Sequence, residues 1–298
     1  MEYYIKGNEV FLKMKNRFVN KTVTSFLDSF NQSKKNKYQL IQQGLLKHNF
    51  QVAKEEAMLK KDDIISFPYQ LLSEEPLIPY NEPLDIVYED PFLLIVNKQA
   101  GLLIHSDGVN TTCTLSNMVQ HYYFLTHQKC TVRPIHRLDQ DTTGLVVFSK
   151  CSFFQPYLDF CLANKEIERE YKAIVEGRIP KNMIIKINKP IGRDRHNSKK
   201  RRISNTGKDA YTTVESELCA KNYTLVHCKL KTGRTHQIRV HLSSIHHPIL
   251  SDSLYGKKSS LIHRCALHAY KIRMIHPISN KELIIHADIP NDMKKLIK

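Results

Sequence analysis

Four prolines fall within residues 66–83, at Pro68, Pro76, Pro79 and Pro83, with acidic Glu74 and Glu75 among them. Proline fixes φ and has no backbone N–H, so neither a helix interior nor a central strand runs through such a stretch. It divides the 298-residue chain into a small unit over 1–70, a linker over 71–83 and a large unit over 84–298, sizes ordinary for two domains.

In the first unit Val23, Phe26, Leu27 and Phe30 recur at helical spacing, as do Leu40, Ile41 and Leu45. Phe50–Val52 and Ile64–Phe67 follow as short strand-like runs. Lys34, Lys35 and Lys37 lie between the two helical patterns. They are either a solvated turn or a face that grips phosphates. The second unit is rich in strands: residues 84–88, 92–96, 144–148 and 171–175, with helical patterns at 115–125 and 156–163. Strands separated by helices and irregular loops predict an α+β architecture, a mixed sheet with flanking helices and loops, preceded by a small α/β unit.

Hydrophobic residues make up 41% of the chain, enough for a globular fold. Forty-five Lys and Arg against 29 Asp and Glu leave a formal charge of +16. Such an excess concentrates polyanions, of which nucleic acid is the commonest, although basic proteins that bind nothing specific also exist. No long basic amphipathic helix points to a membrane surface, and no segment approaches the roughly 20 apolar residues of a membrane span. The N-terminus has no apolar signal segment. Seven cysteines without a CxxC pair give neither a disulfide framework nor a zinc knuckle. These features predict a soluble, cytoplasmic protein with free thiols.

Three charged segments carry candidate chemistry. In 133–144, His136, Arg137, Asp139 and Asp141 stand just ahead of an apolar strand. Charges pressed against a core require partners. Asp139 is either an active-site carboxylate or a turn residue bonded to Thr142 or Thr143. In 231–241, Gly233 permits close backbone approach, and Arg234, His236, Arg239 and His241 cluster around it. Arg239 has the planar fork that matches a carboxylate, while a basic strand end with solvated arginines is the alternative. In 181–208, Lys199, Lys200, Arg201 and Arg202 form either a solvated loop or a clamp on a phosphate backbone. The remaining histidines stand in no HExxH or CxxC context, which argues against a metal site.

Together these segments resemble the RluA family of RNA pseudouridine synthases, over about residues 84–292. Asp90–Gly101 with His105, His136–Asp139 with Asp141–Gly144, Glu170–Ala173 with Glu176 and Gly177, and Thr232–Leu242 with Pro248–Asp252, Tyr255 and Gly256 appear in the family's order. Gln99 stands where the family usually has proline, and Ser251 where it usually has glycine. The first unit is similar to the αL RNA-binding module of a small-subunit ribosomal protein, through Ser33–Lys35, Leu40–Ile41 and Asp62–Ile65.

The resemblance implies the pseudouridine synthase fold, with a largely antiparallel central sheet, and isomerisation of uridine in RNA without cofactor or metal. It assigns Asp139 as nucleophile or electrostatic partner of the sugar, ionised and paired with Arg239, and Tyr171 as the aromatic that stacks on the flipped base. Arg137 would hold the rearranged RNA and Ile238 would wall the uracil, with Lys98, His136, Arg234 and His236 completing the substrate site. Lys34, Lys35, Lys37, Lys199, Lys200, Arg201 and Arg202 would meet the RNA backbone. Large-subunit ribosomal RNA is the first expected substrate and transfer RNA the second. A monomer with no obligatory protein partner is expected. The rival is a non-catalytic RNA-binding or assembly factor, which would have no need of the trio Asp139, Tyr171 and Arg239.

Overall fold

A computed structural model describes residues 1–70, 75–109, 111–220 and 222–297. Residues 71–74, the first part of the expected linker, lie outside the described residues. The N-terminal part holds β1 (Glu2–Lys6), β2 (Glu9–Lys13), α1 (Val23–Ser29), α2 (Lys34–Gln42), β3 (Lys47–His48), β4 (Gln51–Val52) and β5 (Ile64–Pro68). The strands join in the order β1-β2-β5-β3-β4. Sequence patterning passed over β2, where Val10, Phe11 and Leu12 are all buried and leave no polar alternation, and β1, which is exposed along its whole length and shows no buried face. Thr22 and Ser33 cap α1 and α2, each accepting a backbone N–H three residues on. The Ser33 cap places Lys34, Lys35 and Lys37 in the first turn of a helix rather than in an inter-helix turn.

The large part runs β6 (Ile86–Glu89), β7 (Leu93–Lys98), α3 (Leu115–Leu125), β8 (Arg133–Pro134), β9 (Thr143–Ser149), a 3₁₀ turn (Ser152–Phe154) and α4 (Gln155–Ala163). There follow β10 (Glu168–Glu176), β11 (Ile184–Asn188), β12 (Ile191–Arg193), β13 (Arg201–Ile203), β14 (Tyr211–Cys219), β15 (Tyr223–Leu230), α5 (Gln237–Ser243), β16 (Leu267–Ile275), β17 (Glu282–His286) and α6 (Asn291–Lys294). The central sheet has the order β11-β14-β15-β10-β16-β9-β7-β6, with β17 on β16 and β8 on β9. Its pairs are antiparallel except at the join of β9 and β16, where Thr143 and Gly144 lie beside His268 and Ala269. Gly144 makes that join possible. It adopts φ +112°, and a Cβ there would stand 2.2 Å from the Ala269 carbonyl oxygen.

The proline-bearing stretch does not leave the N-terminal part hanging free. Phe67 stacks on Phe153 with ring centroids 3.8 Å apart, and Phe30 meets Phe153 and Phe154 edge-on. Gln32 Nε2 donates to the Phe153 carbonyl at 2.6 Å. Residues from both parts thus contribute to one continuous apolar cluster. A second cluster, on the other side of the sheet, contains Leu138, Tyr171 and Ile238 and underlies the site. Among the described residues no helix is long and apolar enough to cross a membrane.

Candidate active site

A cavity opens where the turn ahead of β9, the start of β10 and the N-terminus of α5 converge. Its lining includes Arg137, Leu138, Asp139, Arg169, Tyr171, Gly233, Arg234, His236, Ile238 and Arg239. The turn is closed by the Thr142 N–H donating to the Asp139 carbonyl, which leaves the Asp139 carboxylate free to face the cavity. Its backbone makes the turn, and its side chain lines the cavity.

Arg239 lies on α5, so the segment read alternatively as a strand end is a buried helix. Its Nη1 donates to Asp139 Oδ2 at 3.0 Å. Nε and Nη2 donate to the two oxygens of Asp252 at 2.8 Å each, a bidentate pair, and the guanidinium lies 5.2 Å from the Tyr255 ring centroid. Burial opposes the charge on Arg239, but the Asp252 carboxylate overrides it and raises the pKa above the ordinary arginine value. Asp252 is fully buried. Burial alone would raise its pKa, yet the bonds from Arg239 and from the Leu254 and Tyr255 N–H groups hold it below the carboxylate range.

The helix start is locked from below. Gln237 accepts from Thr232 Oγ1 and the Arg234 N–H, and donates to the Tyr211 carbonyl and Thr212 Oγ1. His236 caps α5 in the left-handed region at φ +57°. Its Nδ1 is 2.8 Å from the Tyr255 hydroxyl and its Nε2 is 3.7 Å from Asp139 Oδ1. Burial, and secondarily the charges of Arg239 and Arg201, outweigh the pull of Asp139 and lower the His236 pKa. A neutral imidazole follows at neutral pH. Ser251, in the usual glycine position, takes φ +61°, the left-handed conformation that glycine adopts without strain.

Tyr171 projects from β10 at a register shift between Glu170 and Tyr171 and is 5% exposed. Burial pushes its phenol pKa up, while the neighbouring Arg169 pulls it down to a lesser degree. Ile238 is a buried wall, Arg137 is exposed at the rim, and Arg234 is tied through Nε to the Asp209 carbonyl.

Lys98 and His136 are not part of the lining. Lys98 is buried and donates its ammonium to the carbonyls of Gln99, Leu102 and Gln140, bracing the residue next to Asp139. Burial drops its pKa to about 7. His136 sits behind the cavity, where its Nε2 accepts the Val147 N–H at 3.4 Å. Beside the cavity a second groove is edged by Arg193, Arg201, Lys208 and Arg234. Arg201 and Arg202 belong to the β12–β13 hairpin rather than to an irregular loop, whereas Lys199 is exposed at its turn. Lys37 is ion-paired with Asp28; Lys34 and Lys35 are exposed, and all three are far along the chain from the cavity.

The model of the family described as RNA pseudouridylate synthase matches residues 92–244, which contain the Asp139 turn, Tyr171 and Arg239. The chain belongs to the RluA family of RNA pseudouridine synthases. An uncharacterized RNA pseudouridine synthase, YhcT, of Bacillus subtilis is 40% identical over 85% of this chain and 84% of its own length. Ribosomal large subunit pseudouridine synthase D of Escherichia coli is 37% identical over 74% of this chain and 71% of its own. Human RNA pseudouridylate synthase domain containing 1 superposes with a TM-score of 0.58 at 24% identity, covering 70% of this chain and 84% of its own, which establishes the shared fold. As an RNA pseudouridine synthase the protein is an isomerase whose substrate is RNA.

Reasoning from sequence did not assign Asp252, Tyr255, Gln237 or Arg169. The first three stood inside the motif stretches, and the signal for Asp252 was available: a buried Arg239 serving one carboxylate retains donors for a second.

Proposed function

We propose that this synthase isomerises specific uridines in large-subunit ribosomal RNA, with Asp139 as the carboxylate that captures the ribose. The observation that carries the reading is the Asp139 carboxylate facing the cavity on a guanidinium whose orientation Asp252 fixes. Such a carboxylate is aimed in advance, so little reorganisation accompanies reaction. The substrate choice rests on relatives such as the Escherichia coli enzyme, named for the ribosomal large subunit.

The target uridine is first extruded from its stack, at a cost of a few kcal/mol. Arg137 at the rim holds the rearranged strand, and the base enters between Tyr171 and Ile238, an aromatic face and an apolar wall. Tyr171 acts there as a stacking surface in its neutral form, because its pKa is raised and a phenolate base would need the opposite shift. Arg234 and the neighbouring groove with Arg193, Arg201 and Lys208 track the phosphate backbone. Lys34 and Lys35, on the N-terminal unit of residues 1–70, add a further contact to RNA. Lys98 and His136 shape the Asp139 turn from behind. The protein works as a monomer in the cytoplasm.

Asp139→Asn tests the assignment, since it keeps size and hydrogen bonding but removes the nucleophilic charge. Carbodiimide mapping of ribosomal RNA incubated with the variant is expected to show no pseudouridine, with folding and RNA affinity retained. A variant as active as the parent would overturn it.

A further inference from the structure

Half-buried Arg169 differs from Arg239 and Arg264, and shares with Arg202 of the neighbouring hairpin a buried Nε that meets no acceptor. Arg239 meets Asp252 and Asp139, and Arg264 meets Asp292 in a bidentate pair. Arg169 has no carboxylate or hydrogen-bond partner among the described residues, and its Nε is buried with no acceptor. It precedes Tyr171 by two residues on β10, so both side chains leave the same face of the strand and line the same cavity. Its guanidinium lies over Gly233, where a Cβ would stand 2.8 Å from Nη2. Gly233 thus leaves the space that this side chain occupies. An unpaired guanidinium with a desolvated N–H in a reaction cavity is a site waiting for an acceptor.

The reaction creates one. When the C1′–N1 bond breaks, its electron pair leaves with the base, and an Asp139 oxygen bonds to C1′. The detached uracil then carries one negative charge, spread over its ring nitrogen and carbonyl oxygens. After rotation the ring carbon C5 bonds to C1′ and the Asp139 carboxylate departs with its electron pair. C5 then loses its proton and N1 gains one, so the product is an isomer of the substrate. Between the two bond changes Asp139 is an uncharged ester and the free uracil anion must be held, while Arg239 stays committed to Asp252 through two donors.

We propose that Arg169 binds the carbonyl edge of the extruded uracil and neutralises the charge on that base while it is detached from the ribose. The proposal rests on Asp139 acting as described above. It assigns Arg169 to the base rather than to a phosphate, because the guanidinium is beside Tyr171 inside the cavity and not along the groove edged by Arg193, Arg201 and Lys208. The influence of Arg169 on the Tyr171 phenol marks the same proximity.

The test is single-turnover pseudouridine formation on ribosomal RNA by the wild-type protein, Arg169→Gln, Arg169→Lys and Asp139→Asn, with RNA affinity measured across salt. Arg169→Gln is expected to slow the chemical step by about 10²–10³-fold, the loss typical for one preorganised donor to a developing anion. Its affinity and salt slope should stay within twofold of wild type. Arg169→Lys, which keeps the charge without the fork, should recover at least tenfold over Gln. A wild-type rate in folded Arg169→Gln would overturn the proposal, as would a Lys variant no better than Gln. An effect confined to affinity, with a salt slope shallower by about one ion, would assign Arg169 to a phosphate and also overturn it. Absence of pseudouridine with the wild-type protein would instead refute the functional reading on which the proposal rests.

Discussion

Arg239 gives two of its guanidinium nitrogens to Asp252 and the third to Asp139. The carboxylate proposed to react is therefore the lesser partner of its own arginine. Asp252 is fully buried, whereas the Asp139 side chain is 24% exposed. The division suits a carboxylate that must transfer its electrons to a ribose and recover them.

Removing either member of the inner pair strands a buried charge. Arg239→Ala and Asp252→Ala are each expected to destabilise the fold by about 3–5 kcal/mol, and the double variant by less than their sum. Urea denaturation measures all three. Strict additivity, or an unchanged midpoint in Arg239→Ala, would show that the pair does not act as a unit. Asp139→Asn should shift the midpoint far less, which separates loss of chemistry from loss of fold.

Gly144→Ala places a methyl group 2.2 Å from the Ala269 carbonyl oxygen at φ +112°. The parallel join of β9 and β16 has to part to accommodate it, and the Asp139 turn immediately precedes that join. Little soluble protein is expected, and any that folds should melt well below the parent and lack activity. A parent-like melting temperature would mean that the join yields at small cost.

Two buried histidines predict acid sensitivity. His268 Nδ1 is 2.8 Å from Thr143 Oγ1 and its Nε2 is 3.2 Å from the Ala287 carbonyl, and burial drops its pKa to about 4. His136 falls to about 3, through burial and then the charge of Arg169. Unfolded, both protonate near pH 6.5, so between that pH and the folded values the unfolded chain binds more protons. Their contribution is complete above about pH 6.5 and is lost as pH falls toward 4 and 3. The urea midpoint should decline steadily from pH 7 to pH 4, and less steeply in His268→Gln. A midpoint independent of pH over that range would contradict both assignments.

The parts of this molecule legible in the sequence were those fixed locally or by an ordered motif. The helix over 115–125 is found at those bounds, and its Thr114 capping box with Asn117 is a local signal. The pairing of Asp139 with Arg239, 100 residues apart, came from the motif order and is present at 3.0 Å. What stayed hidden depends on closure of the whole chain. α5 has only seven residues and starts from a left-handed histidine, so it has no ordinary capping signature. Asp252 becomes the partner of Arg239 only once the chain folds back across the sheet end. The aromatic seam of Phe30, Phe67 and Phe153 could not be seen either, because prolines between its contributors suggested separation.

The hairpin beside the cavity bears on affinity rather than on chemistry. Replacing Lys199, Lys200 and Arg202 by glutamine leaves Arg201 in place, whose guanidinium bonds the carbonyls of Ser198 and Lys200 and whose N–H donates to Tyr255. If these side chains meet phosphates, each contact removed should reduce the slope of log affinity against log salt by about 0.7–0.9. Binding should weaken to a similar degree for RNAs of different sequence, because phosphate contacts position a strand without reading it. The single-turnover rate at saturating enzyme should stay near that of the parent. A slope unaltered in the triple variant would leave Lys199, Lys200 and Arg202 a solvated surface and would limit phosphate contact in the groove to Arg193, Arg201, Lys208 and Arg234.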